Sequence, residues 1–395
     1  MNSPQNLTRR RVLQGAAALA VGTGALSLLA SCGSDDSGSR SSGGTLNLAD
    51  LGVGDPGDWS KFTNEHDWRV NLVAIGNAPA QVVNVLQSGG TGKYHVMDCV
   101  GGMQKPLVEN DLIRPLDTDR LPNWGKNQFI TDYFPSGDAG FDFIGYQDKL
   151  YGYPTVLQGD SFAYVEDETG PLDSYGAFFD PQLRGQVALE DNFTTAGQKT
   201  ALYLKASGQA EIGDPANMTP GEIKTVVDFL IDQKESGQFR AIWTSFDQAV
   251  SLLTDKEVKV IDCWEPIAIA AQTAGAKAVY AEPAEGWLLW AYVAYLVNNP
   301  KSKDGTEDAA YELMDFMGSG WYGATVTLKQ GYLTNPNAVP YAEEHTDEFS
   351  ADDVAKIKDI SDRVEAKFEK GGTWQNRWPD AVQTYQSEWA RFTAS

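Results

Sequence analysis

The sequence predicts an α/β fold gathered into two lobes. From Thr45 to Asp98, strand-like and helix-like segments alternate in the manner of parallel strand–helix–strand units. The body from Thr45 onward shows no internal repeat and no low-complexity break. At about 350 residues it exceeds what one hydrophobic core usually serves. A hydrophobic content of 42% and an aromatic content of 11% supply those cores and exclude wholesale disorder.

Residues 45–49 read as a first strand and 69–73 as a second, with a helix opening at 59–62 between them. Residues 79–87 carry the apolar spacing of a helix, which Gly89 and Gly90 end, and 94–98 form a third strand. Thr219, Pro220 and Glu222 make a capping box with proline at the first helical position, and Gly237 closes that helix. The run Ser350-Ala351-Asp352-Asp353 opens another helix. Its Val354, Ile357, Ile360, Val364 and Phe368 fall at three- and four-residue steps on one face.

Residues 1–31 read as an export address. Arg9, Arg10 and Arg11 precede an uncharged run of small and apolar residues, and the arginine pair before Val12-Leu13 resembles a twin-arginine signal. Leu29-Ala30-Ser31-Cys32 resembles a bacterial lipobox, in which the cysteine is lipidated and becomes the mature N-terminus. A membrane-spanning anchor fits less well, because the run is short and interrupted by glycine. Residues 32–44 then form a Gly/Ser-rich tether with no apolar side chain after Cys32. The expected protein is exported and lies at the outer face of the cytoplasmic membrane or in the periplasm, held by a lipid anchor alone.

Charge and motif content narrow the function. The chain carries 31 Lys+Arg against 54 Asp+Glu, for a net charge of −23. Without residues 1–31 the balance is 28 against 54, or −26. A surface this acidic repels phosphate backbones, so nucleic acid is excluded as a partner. Three histidines and three cysteines leave little for metal sites, and no metal or cofactor is expected. There is no nucleophile elbow, zinc-protease helix motif or phosphate-binding Walker loop. Gly52, Gly54 and Gly57 match Gly-x-Gly-x-x-Gly after a strand, but no acid lies about 20 residues on to hold a ribose, and the segment reads as a turn. Asp117-Thr118-Asp119 lacks the remaining ligand spacing of a calcium loop. Glu190 and Asp191 are neighbours on a strand, so they point to opposite faces and cannot flank one bond together. Cys99 and Cys263 each end a predicted strand. A disulfide, which an oxidising compartment permits, and two buried thiols are both open.

Several segments in order resemble the polyamine-binding proteins of bacterial ABC importers, within the class of periplasmic-type solute-binding proteins. They run from Gly44-Thr45-Leu46-Asn47-Leu48 through Tyr94-His95-Val96, Leu112-Ile113-Arg114-Pro115-Leu116-Asp117 and Gly152-Tyr153-Pro154. Phe179-Asp180-Pro181-Gln182-Leu183-Arg184-Gly185, Pro283-Ala284-Glu285-Gly286 and Gly331-Tyr332-Leu333-Thr334-Asn335 continue the series. The resemblance implies two α/β lobes joined by hinge strands, with solute in the cleft between them. Lobe I would hold residues 45–154 and 291–340, and lobe II residues 155–290 and 341–395. It also implies a monomer that captures a small solute, closes around it and delivers it to the permease subunits, with no catalysis.

The family holds a polyamine's methylene chain between aromatics and its ammonium ends on carboxylates, a division that cation–π attraction and charge-assisted hydrogen bonding support. By resemblance, Trp264, Trp290, Tyr332 and Gln375 match its pocket residues. Three of its carboxylate positions fall on Asn192, Thr195 and Tyr292 instead, while Asp98, Glu190, Asp191 and Glu265 lie beside those places and could substitute. The expected ligand set is therefore Trp264, Trp290, Tyr292, Tyr332, Gln375, Asp98, Asp191, Asn192 and Glu265. Spermidine or putrescine is the favoured solute, and a mono-cationic or neutral solute is the alternative. An exported hydrolase is a more remote alternative, and it would require a serine or cysteine beside a histidine in the cleft.

Overall fold

The computed structural model describes residues 43–75 and 79–395. The expected export segment, the lipidated Cys32 and most of the tether lie outside these residues. The described residues hold twelve strands: β1 (Gly44–Asp50), β2 (Trp68–Ala74), β3 (Val96–Val100), β4 (Gly145–Tyr146), β5 (Lys149–Leu150), β6 (Gly152–Val165), β7 (Val187–Glu190), β8 (Phe239–Trp243), β9 (Val260–Cys263), β10 (Ala278–Tyr280), β11 (Trp287–Leu296) and β12 (Gly372–Trp374). Ten of them form one sheet whose main path runs β2-β1-β3-β11-β6-β9-β7-β8, with β10 on β6 and β12 on β11. The mixed α/β class and the parallel β1–β2 and β1–β3 pairs agree with the alternation read from the sequence.

The two longest strands carry the architecture. β6 has 14 residues, about 46 Å of extended chain. Its first part pairs antiparallel with β11 through residues 152–160, and its last part pairs with β9 through residues 161–164. β11 reads WLLWAYVAYL without one charged residue, and every position is buried. That is the composition of a strand covered on both faces. Helices pack on these strands to make separate cores. Leu46, Leu48, Met97, Leu107, Tyr153 and Met314 belong to the first. Phe162, Phe178, Leu189, Val226, Leu230 and Phe392 belong to the second, and Trp243, Leu253, Ile261 and Ile267 to a third beside it.

Both expected capping boxes form. Thr219 and Glu222 close one at Pro220–Glu235, and Ser350 and Asp353 close the other at Ala351–Lys370. The latter helix buries Ile357, Ile360, Val364 and Phe368, the face read from its spacing. Ile360, Val364 and Phe368 enter the first core, whereas Tyr385 and Phe392 of the final helix, Val382–Ala394, enter the second. Of residues 341–395, which the sequence reading placed together in lobe II, some thus enter the first core and some the second, while Ala342, Phe349 and Ile357 form a further cluster with Ala324. Cys99 and Cys263 are both buried and free, so of the two pairings left open the structure has the thiols.

Candidate functional site

Residues of both cores line a cleft of about 760 Å³. One side carries Val100, Met103, Trp290 and Tyr292, all buried in the first core. The other carries Asn192, Phe193, Thr195, Tyr385 and Trp389. The sheet explains the meeting. β3 and β7 end at the cleft, β9 ends one residue before Trp264, and β6 and β11 pass through both halves. Strand ends at a change of direction are where open α/β sheets bind ligands.

The aromatic walls are positioned locally. Trp290 and Tyr292 stand two residues apart on β11 and so share a face, with ring centroids 5.7 Å apart. Tyr332 packs at 5.5 Å on Trp290, tilted by 66°. Trp264 caps the helix Glu265–Thr273, rests edge-on against Trp243 at 5.6 Å and donates Nε1–H to Glu190 Oε2 at 3.2 Å. Across the cleft, Phe193 packs edge-on against Tyr385 and Trp389, and Trp389 Nε1–H donates to Asp191 Oδ1 at 2.8 Å.

The acidic groups of the cleft differ in environment. Asp160, on β6, is only 2% exposed. Its Oδ2 accepts from Trp290 Nε1 at 2.9 Å and from Gln375 Nε2 at 3.1 Å, while its Oδ1 is buried without a partner, as is Gln375 Oε1. Burial pushes the Asp160 carboxyl up to about 6, against the pull of Lys199 and Lys367 and of the two side-chain donors. Glu190 is pushed further, to about 8, by burial and by the neighbouring Asp262. Asp191 is exposed at the rim. Behind the wall, Lys199 is fully buried, donates to Asp262 and to Ser161 O, and is held above its usual value by Asp262 and Asp160 despite its burial. Arg377 also borders the cleft, but its guanidinium is engaged by Asp142 and Asp214.

The structure brings together Trp264, Trp290, Tyr292, Tyr332, Gln375, Asp191 and Asn192 of the expected set. Asn192 uses its Oδ1 to cap the following helical turn, accepting from Thr194 N at 3.0 Å. Two expected acids do not line the cleft. Glu265 is turned into the protein, where Arg363 and Lys367 bind it, Lys367 Nζ at 2.8 Å, and Gln158 adds a third donor. Burial raises its carboxyl, but those two cations bring it below the usual range. Asp98 is fully buried on β3, in register with Asp50 on β1, and accepts from Thr155 Oγ1 at 2.8 Å. The Gly52–Gly57 turn closes over this pair. A Cβ on Gly54 would lie 2.3 Å from Asp98 Oδ2 and 2.8 Å from the Tyr322 hydroxyl. The turn is the one expected from the sequence. Asp160 and the wall of Phe193, Tyr385 and Trp389 went unread. The one signal for Asp160 was an acid inside a long buried apolar strand, where an unpaired charge is costly.

Comparison with known proteins fixes the family. A family profile described as bacterial extracellular solute-binding protein matches residues 59–356. The chain belongs to this family. Solved structures match the solute-binding protein along most of its length. One is a Listeria monocytogenes protein assigned to a spermidine/putrescine ABC transporter. It is 18% identical with a TM-score of 0.67, over 88% of this chain and 98% of that one. Another is the spermidine/putrescine ABC transporter substrate-binding protein PotD of Streptococcus pneumoniae. It is 16% identical with a TM-score of 0.66, over 89% and 98%. A third is the binding protein MotA of A. tumefaciens in complex with glucopine, 15% identical with a TM-score of 0.55, over 82% and 98%. At these identities they establish the two-lobed fold. No curated protein is a significant match by sequence. Among the described residues of the solute-binding protein, no group of three or more His, Cys, Asp or Glu could hold a metal ion. No helix among them is long and apolar enough to cross a membrane.

Proposed function

We propose that the protein captures a small organic cation in this cleft and delivers it to the permease of an ABC importer, without chemistry on the solute. The reading rests on one observation: a buried carboxylate with a free oxygen, Asp160, stands among aromatic faces that include Trp264, Trp290 and Tyr332. Aromatic faces attract cations, and a desolvated carboxylate pairs with them. Polyamines are the favoured solutes. Asp160 and Asp191 both line the cleft beside its aromatics, one acid for each of two ammonium groups, and two of the similar structures come from proteins assigned to spermidine/putrescine transport. A second reading, a solute with one positive group, is favoured by the environment of Glu190. Burial and Asp262 push its carboxyl up to about 8, above Asp160 at about 6, so Asp160 is the more readily charged of the two.

A thermal-shift series with the purified protein tests the proposal, because a ligand bound only to the folded state raises its melting temperature by mass action. Spermidine, putrescine, choline, glycine betaine, amino acids and sugars form the panel. We expect a rise with spermidine or putrescine, or with a mono-cation under the second reading. A rise with sugars alone would overturn both. Trp264→Ala should weaken the responding solute by more than tenfold. Trp264 is half-buried at a helix cap, so the variant should melt within a few degrees of the wild type.

A further inference from the structure

The structure assigns Asp160 and Gln375 as the seat of an ammonium head that carries N–H groups, and so as the pair that selects amines over fully N-methylated cations. This rests on the reading of the cleft as a cation site and deepens it. An aromatic cage by itself does not discriminate, since ring faces attract a quaternary ammonium as well as a primary one. Discrimination needs buried acceptors that only an N–H can satisfy, and two such acceptors belong to residues that line the cleft. Asp160 Oδ1 and Gln375 Oε1 are both buried without a partner, and Gln375 donates its own amide to Asp160 Oδ2 at 3.1 Å. That bond holds the carboxylate and the carboxamide side by side, while Trp290 Nε1–H fixes Asp160 Oδ2 from another side at 2.9 Å.

Among the described residues, no cation bonds to either acceptor. Lys199 gives its protons to Asp262 and Ser161 O. Lys367 gives its own to Glu265, Gln158 Oε1 and Gly159 O, at 2.8, 2.8 and 3.0 Å. Lys199 is bonded to Asp262, and Lys367 and Arg363 to Glu265, so Asp160 feels the pull of Lys199 and Lys367 but forms no ion pair with either. A head with two or more N–H groups satisfies both acceptors and the charge. A trimethylammonium head satisfies the charge and leaves both acceptors buried and unmade, the costly outcome for desolvated polar groups.

The test is calorimetric titration of the purified protein with matched pairs: ethanolamine against choline, and putrescine against its bis-trimethylammonium analogue. We expect the N–H-bearing member of the responding pair to bind at least tenfold more tightly. Asp160→Asn should remove most of that preference, by weakening the amine more than the methylated partner, which loses only the charge pairing. Equal or tighter binding of the methylated member would overturn the assignment while leaving the cation reading in place, since the cage alone would then be reading charge. Binding of a sugar with no response to any cation would overturn both. The comparison on the wild type needs no variant. If Asp160→Asn does not fold, Gln375→Leu replaces it, removing one acceptor from the same seat. Unchanged preference in a folded variant would also overturn the assignment.

Discussion

Asp50 and Asp98 show what two carboxyls do when neighbouring strands align them in a dry interior. Both are fully buried, and each keeps one oxygen without a partner. Burial pushes Asp50 up to about 7, with Asp55 adding to the rise, and burial together with Asp50 pushes Asp98 well above the carboxylate range. Tyr322, Tyr292 and Cys99 pack around the pair and bring no positive charge. A raised folded-state value means that the native protein holds a proton the unfolded chain has already lost. This contribution to stability is complete below about pH 4 and is lost as pH rises through about 7. Asp98→Asn keeps the oxygen that Thr155 donates to and removes one charge. It should melt several degrees higher than the wild type at pH 8 and close to it at pH 4.5, measured by calorimetry across that range. An equal shift at both values would mean that the pair does not titrate in the window. Residue identity revealed little of this. Asp98 and Glu265 stand beside the expected cleft positions in sequence, but which side of the backbone an acid takes depends on partners far along the chain, Lys367 for Glu265 and Asp50 for Asp98. Asp160 went unread for the converse reason, since its neighbours in the strand are those of a core.

Elements were more legible, because caps and periodicity act within a few residues. The helix Ala351–Lys370 is the clearest case. Its start was written in Ser350 and Asp353, whose side chains each accept from the other's backbone N–H, at 3.2 and 3.0 Å. Ser350→Ala should cost about 1 kcal/mol of stability, the usual worth of an N-cap. Urea denaturation would show it, and solute affinity should not change, because the cap stands outside the cleft. A loss of affinity would mean that the helix start positions Lys367 near the other end. What the periodicity could not tell is which core the helix joins. An apolar stripe fits any apolar surface of matching shape, and only the tertiary fold chose the first core over the second.

At the scale of the whole molecule, the segment 375–380 ties the two cores together at the mouth of the cleft. Arg377 reaches Asp142 and Asp214, and Asp380 accepts from Lys105 and Asn217, at 3.3 and 3.1 Å. Gly102 lets this segment approach, for a Cβ there would lie 2.7 Å from Asn376 O. The number of lobes was legible from length alone, and their joining strands from the run of segments shared with solute-binding proteins. The clasp was not, since it pairs charges as far as 275 residues apart. Export and anchorage belong to this scale as well. We propose that lipidated Cys32 holds the body to the membrane, and Cys32→Ala should move it from the membrane fraction to the soluble fraction on cell fractionation. Continued sedimentation with membranes would point to a spanning segment instead. The buried thiols set one further property of the molecule. Since neither Cys99 nor Cys263 is cross-linked, the native body needs no oxidant to assemble. Its folding therefore draws on no oxidising compartment, and in one the two thiols are shielded once they are buried. Nothing in its thiol chemistry delays maturation until the chain has left the cell interior, and reducing agents have no bond among the described residues to cut.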